Sequence, residues 1–232
     1  MSIHNFKYAV DSRNILGVAL ALQGGVDLSE SYDMLNKHTP LSYIICNGND
    51  FIDAFKMLVE QGADINQLDG GGCAPIHYAI SHGATNILET MLALGADLSL
   101  QDKYGDNTLH WAVLFESECT DTLLNRIFHS GIDINAKNRD MDTPLHIACF
   151  NRLLDLVKVL ILHGANIHAR DKHGRTPLYL ACDAQCPDTV KFLMSQGADM
   201  NVSDEWGETP EDVARRISSD EILDILKGAK KQ

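Results

Sequence analysis

A four-residue pattern returns along this chain at a nearly constant interval, and that recurrence constrains the fold more than any other feature. The segments TPLS (39–42), APIH (74–77), NTLH (107–110), TPLH (143–146), TPLY (176–179) and TPED (209–212) share one frame. Their second positions, Pro40, Pro75, Thr108, Pro144, Pro177 and Pro210, are spaced 35, 33, 36, 33 and 33 residues apart. A second series keeps step: QGADIN (61–66), LGADLS (94–99), SGIDIN (130–135), HGANIH (163–168) and QGADMN (196–201). Each glycine of that series stands 13 residues before the second position of the next copy. Periods of this length mark stacked supersecondary units, none of which can bury its apolar face alone. Two length changes fall between Pro40 and Gly62 and between Thr108 and Gly131, in the turn between two helices where insertions are tolerated.

Each signature residue has a mechanical role. Thr143 stands where a helix N-cap belongs, and Pro144 suits the first helical turn, where its missing N–H costs nothing. Leu145 and Ala148 share a face and should be buried. Val157, Leu160 and Ile161 form the apolar stripe of a second helix, which Gly164 stops. DKYG (102–105) and DKHG (171–174) read as hairpin turns.

The Thr-Pro-Leu-His and Gly-Ala-Asp signatures, in phase and repeated, resemble the ankyrin repeat, whose unit is a short β-hairpin followed by two antiparallel helices. The resemblance implies an all-α solenoid of about seven units over 1–232. A degenerate N-terminal cap would occupy 1–34, five regular units 35–204, and a C-terminal cap 205–232. Residues 6–27 align without a gap to 145–166, placing Phe6 on Leu145 and Ala9 on Ala148. The last copy replaces Leu-His with Glu211-Asp212 and adds Arg215 and Arg216, which would end the stack in water.

Chemical alternatives are weaker. His146 and Cys149 lie three residues apart, as a nucleophile and its base might, but the matching residues of the neighbouring copies are His110 with Val113 and Tyr179 with Cys182. In the ankyrin family the signature histidine knits hairpin to helix and unit to unit, so the same is expected of His77, His110 and His146. Cys149 and Cys182 read as small buried hydrophobes. His163, His168 and His173 straddle different elements, and Cys182 with Cys186 lacks a second pair, so no metal site is expected. Gly70–Gly72 is followed by no Lys-Ser/Thr, so it is not a phosphate loop. The competing enzyme reading places a site in the insertion FESECTDT (115–122) around Cys119, although Glu116, Glu118 and Asp121 would raise its thiol pKa.

The formal net charge of −13 argues against nucleic-acid binding. No apolar run approaches the roughly 20 residues that span a bilayer, and MSIHNFKYAVDSRNILGVAL lacks a secretory pattern. Six scattered cysteines read as reduced thiols in a cytosol. No cofactor is expected, and a monomer is.

The resemblance therefore implies a non-enzymatic protein-interaction module that binds a protein partner on its concave face, through positions the repeat leaves free. At the hairpin tips these include Lys103, Tyr104, Arg139, Asp140, Lys172, His173, Glu205 and Trp206. On the first helices they include Leu114, Phe115, Phe150 and Asn151. Large aromatics at positions the core does not need are the sharpest candidates. Lys103, Lys137, Arg139, Arg170, Lys172 and Arg175 cluster near the middle tips, either as a mixed solvated rim or as a site for an acidic peptide. Asn66, Asn135 and Asn201 stand in a frame similar to that of asparaginyl hydroxylation on ankyrin repeats. An adaptor, inhibitor or assembly factor is the leading reading, with an effector secreted by an intracellular bacterium as a variant.

Overall fold

The structure is a computed structural model that describes residues 3–24, 37–48, 51–115 and 120–229. Fourteen helices follow one another in seven pairs among these residues. The first pair is α1 (Ile3–Asp11) and α2 (Ile15–Gln23); the second is α3 (Pro40–Asn47) and α4 (Ile52–Glu60). Then come α5 (Pro75–Ser81) with α6 (Thr85–Ala93) and α7 (Thr108–Leu114) with α8 (Thr120–Ser130). The remaining pairs are α9 (Pro144–Phe150) with α10 (Leu154–Leu162), α11 (Pro177–Asp183) with α12 (Pro187–Ser195), and α13 (Pro210–Arg216) with α14 (Asp220–Ala229).

The chain divides into two compact units, Met1–Ser130 and Gly131–Gln232. Within each, first helices pack on first helices and second helices on second helices. In the first unit α3 packs on α5 and α5 on α7, while α2 packs on α4 and α4 on α6; in the second, α9 packs on α11 and α11 on α13, while α10 packs on α12 and α12 on α14. The result in each unit is two layers with the apolar stripes between them. Leu41, Ile76 and Leu109 line one such stripe and Leu145 and Leu178 the other, all at most 1% exposed. The degenerate first pair obeys the alignment, since Phe6 and Ala9 are buried as Leu145 and Ala148 are.

Local chemistry explains the helix limits. Thr39, Thr176 and Thr209 each accept the N–H of the residue three positions on through the side-chain hydroxyl. Proline occupies the first turn of α3, α5, α9, α11 and α13. At the end of α10, Gly164 takes φ +94°, with its N–H on the Ile161 carbonyl and the Ala165 N–H on Leu160. This pair of bonds satisfies carbonyls the helix leaves open.

The expected hairpins are closed turns, and no strand forms among the described residues. One aspartate or asparagine organises each. Asp102 Oδ1 accepts the N–H groups of Tyr104 (2.7 Å) and Asp106 (3.0 Å), and its own N–H reaches the Asp106 carbonyl. Asp69, Asn138, Asp171 and Asp204 repeat that arrangement. Because a side chain satisfies the donors that a ladder would have used, the tip needs no strands. Backbone bonds then tie tip to tip, Gly70 N–H to the Lys37 carbonyl in the first unit, and Lys172 to Asp140 and Glu205 to His173 in the second.

Candidate partner-binding surface

The signature histidines are committed to the scaffold. His146 Nδ1 accepts the Thr143 N–H (3.2 Å) and faces its hydroxyl, so Nε2 carries the proton and donates to the Arg175 carbonyl of the next copy (3.2 Å). His77 does the same between Ala74 and Leu100. Burial pulls the His146 pKa down to about 4 and that of His77 below the ordinary value. Burial also pushes the Cys149 thiol far up and Cys182 up to about 12. An imidazole with both nitrogens engaged and a thiol held protonated cannot act as base and nucleophile. In the last pair Asp212 stands at the histidine position and its carboxylate takes over the role, accepting the Thr209 N–H (3.0 Å) and hydroxyl (2.6 Å). Cys119, the centre of the enzyme reading, lies outside the described residues.

The candidate tip residues fall into an ordered rim. In the second unit Lys172 pairs with Asp140 (2.6 Å), His173 with Glu205 (2.5 Å), and the His173 ring stacks on Trp206 at 5.2 Å. Lys137 donates to the Arg170 carbonyl and Arg170 to the Ser203 carbonyl, while Arg175 pairs with Asp171. Lys137, Arg170 and Lys172 thus join copy to copy while Arg175 closes its own turn, which supports the mixed rim over a site for an acidic peptide. Arg139 and Asn151 are exposed. Trp206 (67%), Phe150 (56%) and, in the first unit, Tyr104 (60%) remain open to solvent. Phe115 folds onto Trp111, with ring centroids 4.9 Å apart, yet it and Leu114 stay exposed. Lys103 lies with its ammonium 5.0 Å from the Tyr104 ring centroid.

Asn66 and Asn135 are staples. Asn66 Oδ1 accepts the Asp97 N–H (2.9 Å), and Asn135 Oδ1 the Asn166 N–H (2.7 Å), each one copy further on. Asn201 bonds instead within its own turn, to Asp199.

One set of residues escaped the sequence reading. The residue after the signature histidine is Tyr8, Tyr43, Tyr78 and Trp111 in successive first-unit helices, and Ile147, Leu180 and Val213 in the second. Each later ring is covered by the preceding pair. Lys7 donates to the Tyr43 hydroxyl (2.9 Å), which also meets Asp11; His38 packs edge-on against Tyr78 at 4.8 Å; His77 stacks on Trp111 at 5.1 Å. Polar handles on two of the rings are held by the turn aspartates: the Tyr78 hydroxyl donates to Asp69 (2.8 Å) and the Trp111 Nε1–H to Asp102 (3.1 Å). The signal was present as an aromatic in four successive copies at one frame position.

Three copies of the family model for ankyrin repeats match residues 6–102, 53–138 and 109–204. The chain belongs to the ankyrin-repeat family. The solved ankyrin repeat domain of Bcl-3, described as a unique member of the IkappaB protein family, superposes with a TM-score of 0.78 at 30% identity. That match covers 97% of this chain and 98% of the other. Among curated proteins, the mouse B-cell lymphoma 3 protein homolog is 32% identical over 140 residues, 60% of this chain and 30% of that protein. The monkeypox virus Inhibitor of Apoptosis OPG037 is 28% identical over 126 residues, covering 53% and 28% respectively. The matches to these two relatives take in less than a third of either protein. Ankyrin repeats are in general non-enzymatic interaction modules, and among the described residues no helix is long and apolar enough to cross a membrane.

Proposed function

We propose that this chain is a non-enzymatic protein-interaction module, an adaptor, inhibitor or assembly factor, that holds its partner on the concave face made by first helices and hairpin tips. The observation that carries this reading is the exposure of three large rings that the core does not take in, Tyr104 in the first unit and Phe150 and Trp206 in the second. Large rings already fixed by the scaffold lose little entropy on binding and give up much apolar surface to a partner. To the same reading belong Lys103, Leu114 and Phe115 in the first unit and Arg139, Asp140, Asn151, Lys172, His173 and Glu205 in the second. The described cysteines are free thiols, which fits a reducing cytosol.

Affinity capture from cell extract with the wild type and with a Tyr104→Ala, Phe150→Ala, Trp206→Ala variant tests the assignment. The variant should lose the proteins the wild type retains; equal recovery would remove this face from the function. A secondary proposal is hydroxylation of Asn66, Asn135 and Asn201, side chains whose first role is to hold turns and copies together. Co-expression with an asparaginyl oxygenase should add the mass of one oxygen per modified side chain, and an unchanged mass would end it.

A further inference from the structure

We propose that the surface gathered around Asp102, formed by Tyr104, Trp111 and Phe115, docks an arginine-bearing basic segment of the partner. The inference rests on the reading of the first-helix face as the binding face and says which chemistry its first unit takes.

Three observations converge. Asp102 joins the parts: one carboxylate oxygen holds the Tyr104 backbone N–H and the other the Trp111 indole N–H, and Trp111 stacks on Phe115. A carboxylate bonded to the indole N–H enriches the ring in electron density. Asp102 is only 8% exposed, so it acts through the ring and not as a direct ligand. Next, residues 1–130 carry six lysines and arginines against sixteen aspartates and glutamates, a formal charge of −10; residues 131–232 carry thirteen against sixteen, or −3. A basic segment is drawn to the first of these. Finally, an aromatic ring of this surface already sits beside a cation, the Lys103 ammonium 5.0 Å from the Tyr104 centroid.

Arginine fits better than lysine. Its planar guanidinium stacks on an aromatic face and sheds water more readily than an ammonium does. Lys103 is the cation bordering the site and would compete with the incoming one. The second unit has no aromatic at the matching helix position, which Ile147, Leu180 and Val213 hold, and Lys137, Arg170, Lys172 and Arg175 are engaged with carboxylates and carbonyls.

The test titrates the full chain with labelled peptides of alternating arginine and glycine, lysine and glycine, or glutamate and glycine, following anisotropy. The arginine peptide should bind tightest and weaken with added salt, and the lysine peptide should bind about threefold less well. Tyr104→Ala and Phe115→Ala should each weaken the arginine peptide about threefold, Lys103→Ala should strengthen it, and Leu162→Ala, exposed on a second helix of the other unit, should change nothing. These sites are exposed, and unchanged urea midpoints confirm folding. Equal binding of arginine and lysine peptides, or wild-type affinity in both aromatic variants, would overturn the inference and leave only general attraction to an acidic protein. Partner capture that succeeds while the arginine peptide fails to compete sinks this inference alone. Loss of capture specificity with peptide binding intact sinks the broader reading instead.

Discussion

The two units are built from the same parts and finished differently. Both use a threonine or asparagine cap, a buried residue three positions later, an aspartate-organised tip and a glycine stop. In the first unit the helix position after the signature residue carries three tyrosines and a tryptophan, with the charge strongly negative. In the second the same position is aliphatic, and the rim carries the ion pairs Lys172–Asp140 and Arg175–Asp171 beside the His173–Glu205 hydrogen bond. The repeat dictates the scaffold because its residues satisfy backbone groups or fill the space between layers. It leaves open whatever points away from both, and there the units diverge. One offers rings in a negative field, the other a rim whose charges are largely compensated.

Mutations in the shared scaffold should not distinguish the units. Leu109→Ala in α7 and Leu145→Ala in α9 remove fully buried side chains, so each should cost about 2–5 kcal/mol by urea denaturation. A silent result in either would break the equivalence. Acid should weaken both units through their histidines. His146, with a folded pKa near 4 against an ordinary 6.5, stays neutral when folded and takes up a proton when unfolded. Stability should therefore be full above pH 6.5 and fall as pH drops toward 4, by about 2 kcal/mol at pH 5 from this residue alone. His77 shifts in the same direction. Urea midpoints at pH 7 and 5 check this, and His146→Gln should flatten the dependence.

Smaller changes sharpen the contrast. Asn135→Ala and Asn66→Ala each remove a copy-to-copy staple and should cost about 1 kcal/mol. Thr108→Pro should stabilise the first unit by about 0.5–1 kcal/mol, because Thr108 stands where other copies have proline and buries a hydroxyl that finds no partner among the described residues. Lys172→Ala should barely move the urea midpoint of the second unit, since its pair with Asp140 is half exposed, and any loss should vanish at high salt.

Most of the scaffold was legible because each part is local. Pro144 and Gly164 act within one turn of themselves; Thr143 stands at the N-cap as expected, but its hydroxyl meets His146 Nδ1 (2.9 Å) and caps no backbone N–H, and His146 was placed correctly because its partner, Arg175, lies one copy away at a spacing the repeat preserves. The strands expected at the tips were not found, because Asp69, Asp102, Asn138, Asp171 and Asp204 satisfy those donors with side chains, which a turn signature alone does not reveal. The fate of the cations was not legible either. Lys172 and Asp140 are 32 residues apart, and only stacking brings them to 2.6 Å.

By itself the sequence determined the family, the helix pairs and the roles of the signature residues, since a fixed period makes each copy evidence for the others. Only the tertiary structure decided which exposed residues are already spoken for. Lys137, Arg170, Lys172 and Arg175 look free in the chain but spend their charge or donors on neighbouring turns and carbonyls. Trp111 looked like one more helix residue, yet it links Asp102 to Phe115 at the centre of a ring cluster. That division has a physical cause: capping and packing are set by near neighbours, whereas the availability of a charge or a ring depends on what stacking places beside it.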